Sequence, residues 1–294
     1  MLLSGGSNGP DAVLDDTARA IRPVAQDYVH AHRAAQQAGS ARAAPEPAWP
    51  SEDAMSDKSS VVDAVCKALH SEPRVHPTEG QIHLAFVDGD LTMEGEVDHI
   101  AGKKLALEAA ARVLGVANIV DRLRVRPATP MGDGEIRDKV RDALLEEIAL
   151  ASCTVRVWDQ GHLETVRESA DAVGMIDVRV EDGVVTLDGD VAGAGQKRMA
   201  GVLAWWVPGS RDVINGIGVT PPEQDSETTI TDAVLQVLEK DPFVNSESIR
   251  VHTRKAVVTF DGTVPREAEG KLPEDDAWHV FGVDRVVNRL TVRV

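Results

Sequence analysis

Apolar and polar residues alternate over three well-separated stretches of the chain. Alternation with a period of two is typical of strands that bury one face. The apolar positions of these stretches are Ile82, Leu84 and Phe86, then Ile176, Val178 and Val180, then Ile249 and Val251. Asp88-Gly89 and Asp182-Gly183 follow the first two stretches and predict hairpin turns. The third stretch is followed by Arg254-Lys255, which predicts a different turn.

Helical periodicity flanks each of these hairpins. An apolar face precedes each hairpin, at Val62, Val65 and Leu69, at Ile136, Val140 and Leu144, and at Ile230, Val234 and Leu238. After the hairpin, a stripe of small residues predicts a second helix that lies close to a sheet, at Ala106, Ala110 and Val113 and at Ala200, Ala204 and Val207. The third copy has Pro273 and Ala277 there, so its second helix is expected to start late or to be broken.

Glycines at a constant interval show that these segments repeat. Gly95, Gly189 and Gly262 are followed by Gly115, Gly209 and Gly282, and each second glycine opens another alternating strand. The sequence therefore predicts an α+β fold of three tandem α-β-β-α-β units, each a three-stranded mixed sheet with two helices on one face. Unit 1 spans 60–127, unit 2 spans 133–220 and unit 3 spans 226–294. Residues 1–59 are interpreted as a partly disordered extension and Pro-rich linker, with Met55 as an alternative start.

The repeated motifs resemble the BON domain family, named for bacterial osmotic-stress and nodulation proteins. The resemblance rests on the hairpin text of residues 185–191 (VTLDGDV), the Ala-x-x-x-Ala helix and the closing strand of residues 282–292 (GVDRVVNRLTV). Asp121 departs from the usual Asn, and Ser210 departs from the usual Val. The resemblance implies a bacterial, non-enzymatic binding module associated with phospholipid membranes, osmotic stress protection and, in some cytosolic members, small-ion binding. It supplies no catalytic residues.

Unit 2 contains an insertion of roughly 15 residues within 149–175, judged against the lengths of the other two copies. Residues 154–158 alternate like an extra strand, and residues 163–173 are interpreted as a short helix. The insertion is either an ornamented loop or a docking surface or ligand lid.

Charge narrows the choice of partner. The formal net charge is −17, which argues against nucleic acid as a partner. No apolar run is long enough for a transmembrane segment, and the N-terminus lacks the pattern of a signal peptide. The expected location is therefore the cytoplasm, with peripheral membrane association as the further expectation.

Five arginines form the hypothetical lipid-binding set, with a solvated sheet face as the alternative. They are expected to project outward from the last strands of units 1 and 3, where guanidinium groups can bind phosphate oxygens. The set is Arg122, Arg124, Arg126, Arg289 and Arg293. Unit 1 is the closest to neutral of the three, so its three arginines are the favoured surface.

Four tryptophans form a second hypothetical set, at interfaces. Trp205 and Trp206 are adjacent on one helix and cannot both face the same core. Trp278 is at the position equivalent to Trp205, and Trp158 lies in the insertion.

The histidines and the two cysteines lack metal-ligand spacing, so no metal site, cofactor or catalytic residue is predicted. The predicted function is a non-enzymatic, stress-related protein that binds an anionic phospholipid surface or a client protein. A potassium-binding or small-ligand sensor is the alternative, and homo-oligomerisation is left open.

Overall fold

The computed structural model of the chain describes residues 52–75, 82–222 and 226–293, with side chains from residue 59 onward. Most of the predicted N-terminal extension lies outside these ranges. Residues 52–59, including Met55, belong to the first helix.

Unit 1 has the predicted order of elements. Its described elements are α1 (Glu52–Ser71), β1 (Ile82–Val87), β2 (Asp90–Val97), α2 (Ile100–Ala111) and β3 (Asn118–Val125). β1 pairs antiparallel with β2, and β2 pairs parallel with β3, so the sheet is mixed. The apolar face of α1 and the small face of α2 are buried against one side of this sheet, with Val65, Ala106 and Ala110 fully enclosed.

Unit 3 repeats this arrangement with α5 (Glu227–Lys240), β10 (Ile249–Arg254), β11 (Val257–Val264), α6 (Leu272–His279) and β12 (Arg285–Val292). The strand order and directions match those of unit 1. α6 starts late, as Pro273 predicts, and a short 3-10 helix, Glu267–Gly270, precedes it. Because proline lacks an N–H, it is tolerated only in the first turn of such a helix.

Unit 2 has the same three strands extended by the insertion. Its helices are α3 (Asp133–Glu146) and α4 (Ala194–Trp205), and its strands are β4 (Cys153–Asp159), β5 (His162–Arg167), β6 (Gly174–Glu181), β7 (Val184–Val191), β8 (Asp212–Asn215) and β9 (Gly218–Val219). The sheet order is β5-β4-β6-β7-β8, with β9 also paired to β7. The α+β fold of three units is thus confirmed.

The insertion adds a β-hairpin to the edge of β6. β4 contains the predicted extra strand, whereas the short helix predicted over 163–173 is wrong, because residues 162–167 form β5. Gln160 and Gly161 both have positive φ, 49° and 84°, and reverse the chain in two residues. The Arg167 guanidinium then donates to the carbonyl oxygens of Leu145, Leu150 and Cys153, which anchors the end of β5.

The third hairpin turn has the same backbone conformation as the first, which contradicts the prediction made from Arg254-Lys255. A different turn was predicted at Arg254-Lys255, yet Lys255 and Ala256 have φ of 49° and 59°. Asp88 and Gly89 in unit 1 likewise have positive φ, 51° and 94°. Glu227 at the start of α5 supports this turn, since its Oε1 accepts the Lys255 N–H at 2.8 Å.

Ala256 in the left-handed region implies a stabilising substitution. The Cβ of an L-residue is strained there, and glycine relieves the strain. We expect Ala256→Gly to raise the free energy of unfolding by roughly 0.5–1 kcal/mol, measured by urea denaturation. The same change at Ala143 within α3 should instead lower it by about 1 kcal/mol. A loss of stability in Ala256→Gly would contradict the assigned turn.

Candidate functional site

In units 1 and 3, the five predicted arginines lie on or directly after the last strand of the sheet. Arg122 and Arg124 lie on one face of β3, and Arg126, directly after its last residue, continues the same alternation. Arg122 faces Glu94 at 3.5 Å, while Arg126 pairs with Asp98 at 2.7 Å and with Glu96 at 3.5 Å. These two guanidinium groups are therefore already neighbours of carboxylates.

Arg124 has a different environment at the boundary between units 1 and 2. Its side chain is 24% exposed, and its Nη1 donates to the carboxylate of Asp212 on β8 at 3.0 Å. The same boundary is closed by a backbone hydrogen bond from Val125 N–H to the Arg211 carbonyl at 2.7 Å. Arg124 thus joins two units.

Lys103 on α2 lies at the centre of this boundary and is only 3% exposed. Its Nζ is 3.0 Å from Asp121, 2.7 Å from Asp212 and 2.9 Å from the Leu123 carbonyl. Burial lowers the pKa of Lys103, while burial and then the charge of Asp212 raise the pKa of Asp121. The positive charges of Lys103 and Arg124 therefore compensate the negative charges of two buried carboxylates, Asp121 and Asp212.

This cluster explains why Asp121 can stand where the other units have Asn. Asn215 and Asn288 each donate from Nδ2 to a carbonyl of the second helix or its leading turn, that of Lys197 or of Gly270. Asp121 accepts the Leu123 N–H at 2.8 Å but has no amide to donate. In unit 1 the ammonium group of Lys103 on α2 supplies the hydrogen-bond donor instead, and it connects the helix to Asp121 and Leu123 of β3.

Arg289 and Arg293 of unit 3 are exposed and, within the described part of the chain, form no ion pair. Arg250 and Arg254, which were not among the predicted residues, project from β10 on the same side. The signal that would have found them is the alternation of Arg250, His252 and Arg254 around inward-facing Val251 and Thr253.

The four tryptophans occupy three different places. Trp158 lies on β4 beneath the guanidinium of Arg179, 4.8 Å from the ring centre. Trp278 is 1% exposed in the core of unit 3. Trp205 faces His279 at 6.1 Å between ring centres, and the Trp206 side chain hydrogen-bonds with Asp276, so both tryptophans of α4 contact unit 3.

Unit 3 is also held by cations from both other units. Lys104 of α2 donates to the carbonyls of Val280 and Val283 at 3.2 and 3.1 Å. Arg198 of α4 donates to the Phe281 carbonyl at 3.0 Å. The loop after α6 is therefore a shared junction, and the helical side of each sheet is occupied by contacts between units.

No group of three or more His, Cys, Asp or Glu side chains that could hold a metal ion occurs within 52–75, 82–222 and 226–293. No helix in those ranges is long and apolar enough to cross a bilayer.

The family model of the BON domain matches residues 57–127, 164–221 and 226–294. The chain belongs to the BON domain family. The second match begins inside β5, so α3 and β4 lie before the matched part of the middle BON unit. No curated protein matches the sequence.

Two solved structures of CdsD, a structural protein of the type III secretion system of Chlamydia trachomatis, are similar to this chain at low identity. The first, its C-terminal domain, is 11% identical with a TM-score of 0.22, covering 80% of this chain and 98% of that one. The second is 12% identical with a TM-score of 0.21, covering 80% and 92%.

The middle BON unit has no counterpart of the outward arginines. Gly216 and Gly218 occupy the positions equivalent to Arg122 and Arg124. A Cβ on either glycine would collide with a carboxylate of β7, that of Asp188 or of Asp190. Outward arginines on the last strand are thus confined to BON units 1 and 3.

Proposed function

We propose that this BON protein is a non-enzymatic binding protein that attaches peripherally to an anionic phospholipid surface in bacterial stress physiology. The observation that carries the proposal is the position of the outward arginines. Arg122 and Arg126 of unit 1 and Arg289 and Arg293 of unit 3 are exposed and lie at equivalent places in these two units. Membrane or protein binding is the general property of the family to which the three units belong.

The net charge of −17 does not oppose this proposal at short range. At physiological ionic strength the screening length is about 8 Å, so an approaching membrane responds to the charges of the face that it meets. Each arginine or lysine close to an anionic surface contributes about 1 kcal/mol. A few exposed cations on one face can therefore support weak attachment by an acidic protein.

Co-sedimentation with liposomes tests the proposal. Vesicles of phosphatidylcholine alone should leave the protein in the supernatant, and vesicles with increasing phosphatidylglycerol should sediment it, with a steep decrease in binding as salt is raised. Equal binding to both compositions, or no binding to either, would contradict attachment to an anionic surface. If the protein binds neither type of vesicle but releases or absorbs heat when potassium is titrated in a calorimeter, the ion-sensor alternative is favoured.

A further inference from the structure

The three BON sheets differ in the charge of their strands. β10, β11 and β12 of unit 3 carry four arginines, Arg250, Arg254, Arg285 and Arg289, against one carboxylate, and Arg293 follows directly after β12. β1, β2 and β3 carry two arginines against four carboxylates, and β6, β7 and β8 carry one arginine against five. Only the sheet of unit 3 has an excess of positive charge, although unit 3 as a whole is acidic.

The carboxylates of unit 3 are concentrated on its helical side. α5 contributes Glu227, Asp232 and Glu239, and α6 contributes Glu274, Asp275 and Asp276. The helices cover one side of the sheet, and Arg250, Arg254, Arg289 and Arg293 lie on the other. An object that approaches the open side of the sheet therefore meets a positive field, while most of the negative charge lies behind the sheet.

Strand register brings these cations into one surface. Arg250 is paired with Asp261, and Asp261 with Arg289, so the two arginines lie in one row on either side of a single carboxylate. Neighbouring strands are about 4.8 Å apart, which separates the two arginine positions by about 10 Å. Because β10 and β12 run in opposite directions, Arg254 and Arg293 extend this row toward the two opposite ends of the sheet, each four residues away and on the same side.

Arg250, Arg254, Arg289 and Arg293 are exposed, and in the described ranges none of them forms an ion pair. Arg285, the other arginine of β12, is set apart because it pairs with Glu108 of α2 at 3.5 Å. The equivalent arginines of unit 1 differ in this respect, since Arg122 and Arg126 both face carboxylates and Arg124 is engaged by Asp212. A guanidinium that already pairs with a carboxylate must give up that partner to bind phosphate. The cations of unit 3 give up nothing comparable.

We infer that the open sheet face of BON unit 3, formed by Arg250, Arg254, Arg289 and Arg293, is the surface that contacts the phosphate groups of an anionic lipid bilayer. This basic face replaces the arginines of β3 as the main contact surface. The inference rests on the proposed function and specifies where the membrane binds. Charge complementarity selects a bilayer as the occupant, because Asp261 is the one carboxylate on these three strands and forms no ion pair within the described ranges.

A matched pair of double variants of the full chain tests the inference. Arg289→Gln with Arg293→Gln changes the basic face, and Arg122→Gln with Arg126→Gln changes the equivalent positions of unit 1. Vesicles of phosphatidylcholine with 30–40% phosphatidylglycerol serve as the probe, and thermal melting confirms that each variant is folded. We expect the unit 3 variant to bind about 25-fold more weakly, at about fivefold for each arginine, and the unit 1 variant to bind within about threefold of the wild type.

The variant Arg250→Gln with Arg254→Gln separates the basic face from a single arginine strand. It should weaken binding to a similar extent, because β10 and β12 border the same face. If the wild type binds these vesicles while both unit 3 variants bind equally well, the inference is wrong and the proposed function stands. A larger loss in the unit 1 variant would overturn it in the same way. A wild type that fails to bind contradicts the proposed function itself.

Discussion

Replacing Lys103 by Met should lower the free energy of unfolding by about 3–5 kcal/mol. Met retains most of the length of the side chain, so the loss comes from the charge and its hydrogen bonds. Asp121 and Asp212 are 8% and 4% exposed, and Arg124 would remain as the cation beside them. Two buried carboxylates with one cation between them carry an uncompensated desolvation cost. Urea denaturation of the full chain measures the difference.

Two further variants separate this mechanism from a general loss of packing. Lys139→Met removes a lysine from the surface of α3, where its Nζ is 3.9 Å from Glu135, and should change stability by less than 0.5 kcal/mol. Adding Asp121→Asn to Lys103→Met restores the amide found at Asn215 and Asn288, which can donate to the carbonyl of residue 103. We expect this double variant to recover at least about 1 kcal/mol. No recovery would mean that Asp121 and Lys103 are not coupled.

The fold could be predicted because the same pattern of apolar positions and glycines occurs three times in the sequence. The anchoring glycines mark positions where a side chain does not fit. A Cβ at Gly189 would collide with the Met175 carbonyl, and one at Gly262 with the Ser248 carbonyl, and both residues have positive φ. Because the same glycine positions recur in three copies, the strands and turns are predicted with more support than one copy alone would give.

The two errors in the fold come from segments where local sequence does not decide the structure. Residues 163–173 carry no strict alternation, and β5 forms because Gln160 and Gly161 reverse the chain onto β4 and Arg167 binds carbonyls of three separate segments. At the third turn, pairing of β10 with β11 holds Lys255 and Ala256 in the left-handed region against their own preference. In both cases tertiary contacts outweigh local propensity.

The arginine faces could be predicted only in part, for a related reason. Alternation correctly places Arg122, Arg124 and Arg126 on one face. Their partners depend on the parallel register of β2 with β3, which sets Glu94 opposite Arg122, and on the docking of unit 2, which brings Asp212 to Arg124. The net charge of each unit favours the arginines of unit 1 as the membrane surface, because unit 1 is the closest to neutral. A net charge does not show which side of a sheet each charged residue occupies.

The second large effect concerns Asp276 on α6, which is 6% exposed. Burial, followed by the neighbouring carboxyl of Asp241, raises its pKa to about 7. The folded protein therefore holds a proton on Asp276 between about pH 4 and pH 7, where the unfolded chain has released it. The contribution of Asp276 to the free energy of unfolding is therefore greatest below pH 4. It declines as the pH rises from 4 to 7 and stays low above pH 7.

His279 contributes with the opposite sign over part of this range. Burial, followed by the charge of Lys104, lowers the pKa of His279 to about 4. The unfolded chain protonates this histidine below about pH 6.5 while the folded protein does not, so stability from His279 rises as pH increases from 4 to 6.5. In the wild type the two groups offset each other below pH 6.5. Above that value only the decline from Asp276 remains.

Asp276→Asn should therefore stabilise the protein at pH 8 by on the order of 3 kcal/mol and leave it unchanged near pH 4. Asparagine keeps an oxygen to accept the Trp206 hydrogen bond and gains an amide that can donate to Asp241. Urea denaturation at half-unit steps from pH 4 to pH 8 should show the advantage of the variant growing from about pH 4 to about pH 7 and then levelling off. Asp232→Asn, an exposed substitution on α5, provides the control and should show no such growth. If Asp276→Asn is less stable than the wild type at pH 8, the carboxylate is favourably solvated or paired in the folded protein. A difference that does not vary with pH would mean that the carboxyl group does not titrate within this window.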